Sequence, residues 1–166
     1  ESAARLTEKY GNLIVVQTFS KSRSLAGARV GYAIACDALI ADLQRVKFSF
    51  NPYNVNSLSC ALASAAMDDK AYFEQCTAKI IATRADLTKR LLALGYTVIP
   101  SSANFVLAKS PEIGGAELYA LLKKAGILVR HFDDARIADY IRITVGTDEQ
   151  TAALLKAVGE LEEKYA

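Results

Sequence analysis

A short continuous apolar run, Leu13-Ile14-Val15-Val16, leads into the string Thr18-Phe19-Ser20-Lys21-Ser22-Arg23-Ser24-Leu25-Ala26-Gly27-Ala28-Arg29-Val30-Gly31, and apolar character resumes in Val30-Gly31-Tyr32-Ala33-Ile34-Ala35. This alternation narrows the possible folds more than any other stretch. An apolar run without period-two alternation, set off by Tyr10-Gly11-Asn12, predicts a strand buried on both faces of a parallel sheet. The second run predicts another strand, which places Lys21 and Arg29 on a strand connection. Asp37 follows where it can cap a helix reaching about Lys47.

Asn51-Pro52-Tyr53-Asn54-Val55-Asn56 is rich in turn formers and reads as a loop, with a helix of small residues from Ser57 to Met67. Phe73, Cys76, Ile80, Thr83, Leu87, Leu91 and Leu94 then recur at helical spacing, and Gly95 stands where a left-handed C-terminal residue belongs. Beyond it the rhythm changes. Strands are expected at Thr97–Ile99, Asn104–Ala108, Ile127–Arg130 and Tyr140–Val145, and helices at about Ala116–Ala125 and Asp148–Tyr165. Thr147-Asp148-Glu149-Gln150 fits a capping box for the last of these helices. The expected organisation is therefore a first lobe over residues 1–68, a linking helix over 69–95 and a compact α+β lobe over 96–166.

With 166 residues, 52% hydrophobic and 23% charged, the chain is long enough to bury a substantial core. Its 20 basic and 18 acidic residues are interspersed, which argues against nucleic-acid and anionic-membrane partners. Cys36, Cys60 and Cys76 are odd in number and lack C-x-x-C spacing, so reduced thiols and a cytoplasmic setting are expected, with no metal site. No basic segment followed by an apolar one opens the chain, and no apolar run approaches the roughly 20 residues of a membrane span. A helical pattern that starts without Met leads us to expect a portion of a longer protein.

Chemistry concentrates around Lys21. One amine and one guanidinium eight positions apart can serve an aldehyde cofactor and its phosphate. A lysine that forms an imine must spend time as a neutral amine, and burial with neighbouring positive charge favours that form. Arg29 offers a planar fork to a phosphate, Thr18 and Ser20 offer hydroxyls, and Gly27 allows close backbone approach. The competing reading is a surface loop in which Lys21, Arg23 and Arg29 are solvated charges. Farther on, Tyr140, Arg142 and Thr144 share one face of a strand while Ile141, Ile143 and Val145 share the other. Arg142 thus projects from the polar face, as a ligand anchor or as part of a solvated sheet surface. Arg130 ends a strand beside His131, the single histidine, which lacks a second metal-ligand type at suitable spacing and is assigned no role.

Ser20-Lys21-Ser22 with Leu25-Ala26-Gly27-Ala28-Arg29-Val30-Gly31 resembles the lysine motif of fold-type I, aspartate-aminotransferase-like enzymes, particularly the histidinol-phosphate aminotransferases. Asn51–Asn56, Asn104–Leu107, Gly126–Arg130 and Tyr140–Gly146 resemble further blocks of that family in the expected order, so the likeness covers nearly the whole chain. The resemblance implies an α/β fold: the C-terminal part of a large domain with the remnant of its parallel sheet, then a long linking helix and a small α+β domain. It implies pyridoxal 5'-phosphate as cofactor, with Lys21 as its covalent partner and the general acid/base of a 1,3-proton shift, and with Ser20 and Arg29 on the phosphate. Arg142 would meet the substrate carboxylate and Arg130 a substrate phosphate.

The activity so implied exchanges an amino group between histidinol phosphate, with its imidazole-acetol partner, and glutamate/2-oxoglutarate, in a homodimer. Alternatives are a broad-specificity aromatic aminotransferase, a threonine-phosphate decarboxylase or, in another class, a non-catalytic association domain. Asp69-Lys70-Ala71-Tyr72 superficially resembles the family's D-E-A-Y block, but that block precedes the lysine, whereas these residues follow Lys21. Without the upstream carboxylate that holds the cofactor nitrogen, this chain alone is expected to bind the cofactor weakly and to show negligible transamination.

Overall fold

A computed structural model of the chain describes residues 2–165. They fall into two compact units, whose described parts are residues 2–74 and 75–165. Both mix helix with sheet. Among the described residues no helix is long and apolar enough to cross a membrane.

The first unit opens with a 3-10 helix, Ala3–Glu8, followed by β1 (Val15–Thr18), a short 3-10 turn (Ala26–Ala28), β2 (Gly31–Ile34), α1 (Asp37–Phe50) and α2 (Ser57–Asp68). The Leu13–Val16 run does not become a strand buried on both faces. Strand β1 starts at Val15, its one neighbour among the described residues is β2, and the two run antiparallel from Val15↔Ile34 to Thr18↔Gly31. The intervening connection folds back on itself, and Val16 is left 74% exposed. The buried core of this unit is small: Phe19, Val30 and Ala63, with Leu25 and Ala28 packed against them.

Helix α1 begins at Asp37, but Cys36 occupies the capping position and no side chain caps the helix. Asp37 instead lies in the first turn, where its charge complements the helix dipole. The α2 start is capped by Asn56, whose Oδ1 accepts from the Ser59 N–H at 2.8 Å. Asp69 does the same for the next helix, accepting from the Tyr72 N–H at 3.1 Å. The Asp-Lys-Ala-Tyr sequence is thus a helix start.

Helix α3 (Lys70–Ala93) runs through the division between the units, and all of it from Gln75 on belongs to the second. There β3 (Thr97–Ile99), β4 (Phe105–Lys109), β5 (Arg130–His131) and β6 (Ile141–Thr144) form an antiparallel sheet in the order β3-β4-β6-β5. Helices α4 (Gly115–Lys124) and α5 (Asp148–Tyr165) complete the unit. Its core joins Leu87 and Leu91 of α3, Val106 and Ala108 of β4, Leu118 and Leu122 of α4, Ile141 and Ile143 of β6, and Leu154, Leu155 and Val158 of α5.

Helix ends follow their glycines. Gly95 (φ 83°) and Gly126 (φ 79°) are left-handed, and the Tyr96 and Ile127 N–H groups bond back to Leu91 O and Leu122 O. Because Ile127 is occupied in closing α4 and Leu128 is 79% exposed, the strand expected from Ile127 starts only at Arg130.

Candidate active site

The Lys21 loop springs from a fixed base. Thr18 ends β1 opposite Gly31 at the start of β2, and a Cβ on Gly31 would sit 2.8 Å from the Gln17 carbonyl oxygen, so glycine is what lets the strands close there. One residue in, the Phe19 N–H donates to Val30 O at 3.1 Å and the Leu25 N–H to Phe19 O at 3.0 Å. Residues 20–24 therefore form a tight loop, closed by the Ser24 N–H on Lys21 O at 3.1 Å.

Thr18 and Ser20 are joined twice. The Thr18 hydroxyl donates to Ser20 Oγ at 2.9 Å and accepts from the Ser20 N–H at 3.1 Å. Lys21 is exposed, so the burial expected for an imine-forming amine is not supplied within this chain. Arg29 is also exposed; its φ is 55° and its guanidinium donates to Ala26 O at 3.1 Å. Nothing lies within 4 Å of where a Gly27 Cβ would be, which leaves room beside that backbone. The donor set of one primary amine, two linked hydroxyls and one guanidinium fits a phosphorylated aldehyde.

Arg23 is no solvated charge. It donates to Ala66 O at 2.6 Å and its guanidinium lies 3.8 Å from the Phe73 ring centroid, fastening the loop to α2 and to the first turns of α3. The sequence gives no sign of this, since both partners lie more than 40 residues away.

In the second unit Arg130 and Arg142 are direct partners across β5 and β6. The alternation expected in the last strand is present: Ile141 and Ile143 are buried while Arg142 projects from the other face, half-buried. Neither arginine forms an ion pair among the described residues, and the Arg142 Nε is buried without a hydrogen-bond partner. Two aromatic rings flank the pair. Phe132 has its centroid 5.4 Å from the Arg130 Cζ and 5.7 Å from the Arg142 Cζ, and Phe105 lies 5.3 Å from the Arg142 Cζ. His131 turns away to its own loop, with Nε2 at 2.7 Å from Ala138 O and Nδ1 at 3.6 Å from the Asp133 carboxylate.

Placed beside known proteins, residues 2–158 match the family model for aminotransferase class I and II. The chain belongs to the class I and II aminotransferases. Within that family it is 52% identical over 161 residues to histidinol-phosphate aminotransferase 1 of Bordetella parapertussis, covering 97% of this chain and 45% of that protein. The histidinol-phosphate aminotransferase of Clostridium acetobutylicum superposes with a TM-score of 0.86 at 25% identity, over 98% of this chain and 49% of the other. The Sinorhizobium meliloti histidinol-phosphate aminotransferase, solved in complex with pyridoxal-5'-phosphate, gives 0.78 at 29% identity over 94% and 42%. The chain thus spans about half the length of the aminotransferases it matches.

Proposed function

We propose that the protein to which this chain belongs is a pyridoxal-phosphate-dependent aminotransferase acting on a phosphorylated amino substrate, histidinol phosphate, with glutamate/2-oxoglutarate as the second pair. The observation that carries this reading is the Arg130–Arg142 pair. Like charges directly opposite on neighbouring strands are destabilising, and a half-buried guanidinium lacking a carboxylate is costly, so the arrangement suits a chain that recognises anions rather than one built for stability alone. Phosphate and carboxylate both match the planar fork of arginine.

In the first unit, Lys21 supplies the amine, and Thr18, Ser20 and Arg29 supply phosphate donors. The cofactor, when bound, supplies the electron sink that makes the substrate Cα proton removable. Lys21 Nζ takes that proton and returns it at the other end of the 1,3-shift, a task that needs its neutral form. Arg130 holds the substrate phosphate and Arg142 the carboxylate of glutamate, each fixing one end of its ligand.

The same reading makes α3 the link between a large and a small domain and gives the enzyme a cytoplasmic, homodimeric form. Phe50 and Tyr53, 91% and 90% exposed, support a surface covered by a second copy. The chain by itself is expected to show negligible transamination, since Lys21 stands exposed in it.

Assay of the full-length protein with 2-oxoglutarate against histidinol phosphate, phenylalanine and threonine phosphate tests the proposal. Turnover of histidinol phosphate that disappears in Lys21→Ala supports it. Preference for phenylalanine, carbon dioxide release from threonine phosphate, or full activity in the Lys21 variant overturns it.

A further inference from the structure

The geometry points to Phe132 as a positioning residue that holds Arg130 and Arg142 side by side while leaving their charge intact. This rests on the reading of those arginines as anion anchors. Two guanidiniums in direct register repel one another, and a carboxylate placed between them would relieve that repulsion. A carboxylate here would cancel the positive potential that an incoming phosphate or carboxylate needs. An aromatic ring attracts a cation through its quadrupole and carries no net charge, so it supports the guanidinium without competing for its in-plane N–H donors.

Phe132 meets this requirement for both residues, at 5.4 Å and 5.7 Å, and Phe105 adds a second ring at 5.3 Å on the Arg142 side. Strand geometry explains the meeting. Phe132 directly follows the end of β5, two positions beyond Arg130, and Phe105 is the diagonal neighbour of Arg142 across β4 and β6, where Leu107 is its direct partner. Because one ring touches both guanidiniums, losing it weakens both anchors together.

The test uses the 166-residue chain with inorganic phosphate at pH 8 as the probe, followed by the 15N–1H signal of the Arg142 Nε. Phosphate is expected to shift that signal saturably. Phe132→Leu is expected to weaken the response about fivefold or more, as one to two cation–π contacts imply, and Phe132→Tyr to restore it. Ring-fluorinated phenylalanines at position 132, which keep shape and drain the π-face, are expected to weaken binding stepwise with fluorine number, a trend that a packing role alone does not produce. Binding within about twofold of the parent for Phe132→Leu, or no trend with fluorination while Arg142→Gln still lowers affinity, overturns the role of Phe132 alone. A parent chain whose Arg142 signal ignores phosphate overturns the anion-anchor reading and this inference with it.

Discussion

Arg29 adopts φ 55°, a left-handed conformation that costs a residue bearing a Cβ about 1–2 kcal/mol. Its side chain returns little, a single exposed bond to Ala26 O, so packing does not account for an arginine there. Strain of this kind at a proposed phosphate contact fits a residue kept for its guanidinium. Arg29→Gly should therefore be more stable than Arg29→Ala by about 1 kcal/mol in urea denaturation, the reverse of the usual ranking of the two residues. Equal stabilities for the two variants would show that the backbone there is unstrained.

Tyr96 makes the complementary case in the second unit. Its ring is 2% exposed and its hydroxyl is buried without a hydrogen-bond partner, near the carboxylate of Glu162, which is itself engaged by the Ser110 hydroxyl at 2.6 Å. Burial first, and the adjacent Glu162 second, push ionisation of the phenol far above its ordinary value of 10.0. The fold thus favours the neutral phenol. This group leaves stability undiminished below pH 10 and lowers it as the pH rises further, because the unfolded chain gives up that proton first. Tyr96→Phe should flatten the alkaline fall in stability above about pH 10 and should be neutral, or stabilising by up to about 1 kcal/mol, at pH 7. Thermal melts across the pH range check both.

Among the elements, the last helix was the most legible. The Thr147 hydroxyl accepts from the Gln150 N–H at 3.3 Å and the Gln150 side chain accepts from the Thr147 N–H at 3.0 Å, as the four-residue signature implies. Thr147→Ala should cost about 1 kcal/mol, measurable by chemical denaturation, since α5 supplies Leu154, Leu155 and Val158 to the core. Helix α3 and the two-faced pattern of β6 were equally readable, because each depends on neighbours within a turn or a pleat. The antiparallel pairing of β1, the late start of β5 and the Arg23 anchor were not, since each depends on a partner distant in sequence. The site divides along the same line. A local string nominated Lys21, Ser20 and Arg29 as candidates, and alternation gave Arg142 its face, but nothing local sets the register that brings Arg130 opposite Arg142 or puts Phe105 and Phe132 beside them.

At the scale of the whole molecule the two units are unequally buried. Thirteen buried residues form one connected core in the second unit, whereas the first has three in its cluster. Apolar burial dominates folding free energy, so the two halves should not open together. Hydrogen exchange should leave the amides of β4, β6 and α5 protected long after those of β1 and β2 have exchanged, and coincident exchange in both units would contradict that ordering.

The facing guanidiniums of β5 and β6 bear on that stability as well. An anion that binds the folded sheet and ignores the unfolded chain draws the folding equilibrium toward the native side by mass action. On the proposed role of Arg130 and Arg142, the melting point of the second unit should be set jointly by its sequence and by the dissolved oxyanions around it, so that a phosphate buffer and a zwitterionic one at equal ionic strength give two different stabilities of the same polypeptide.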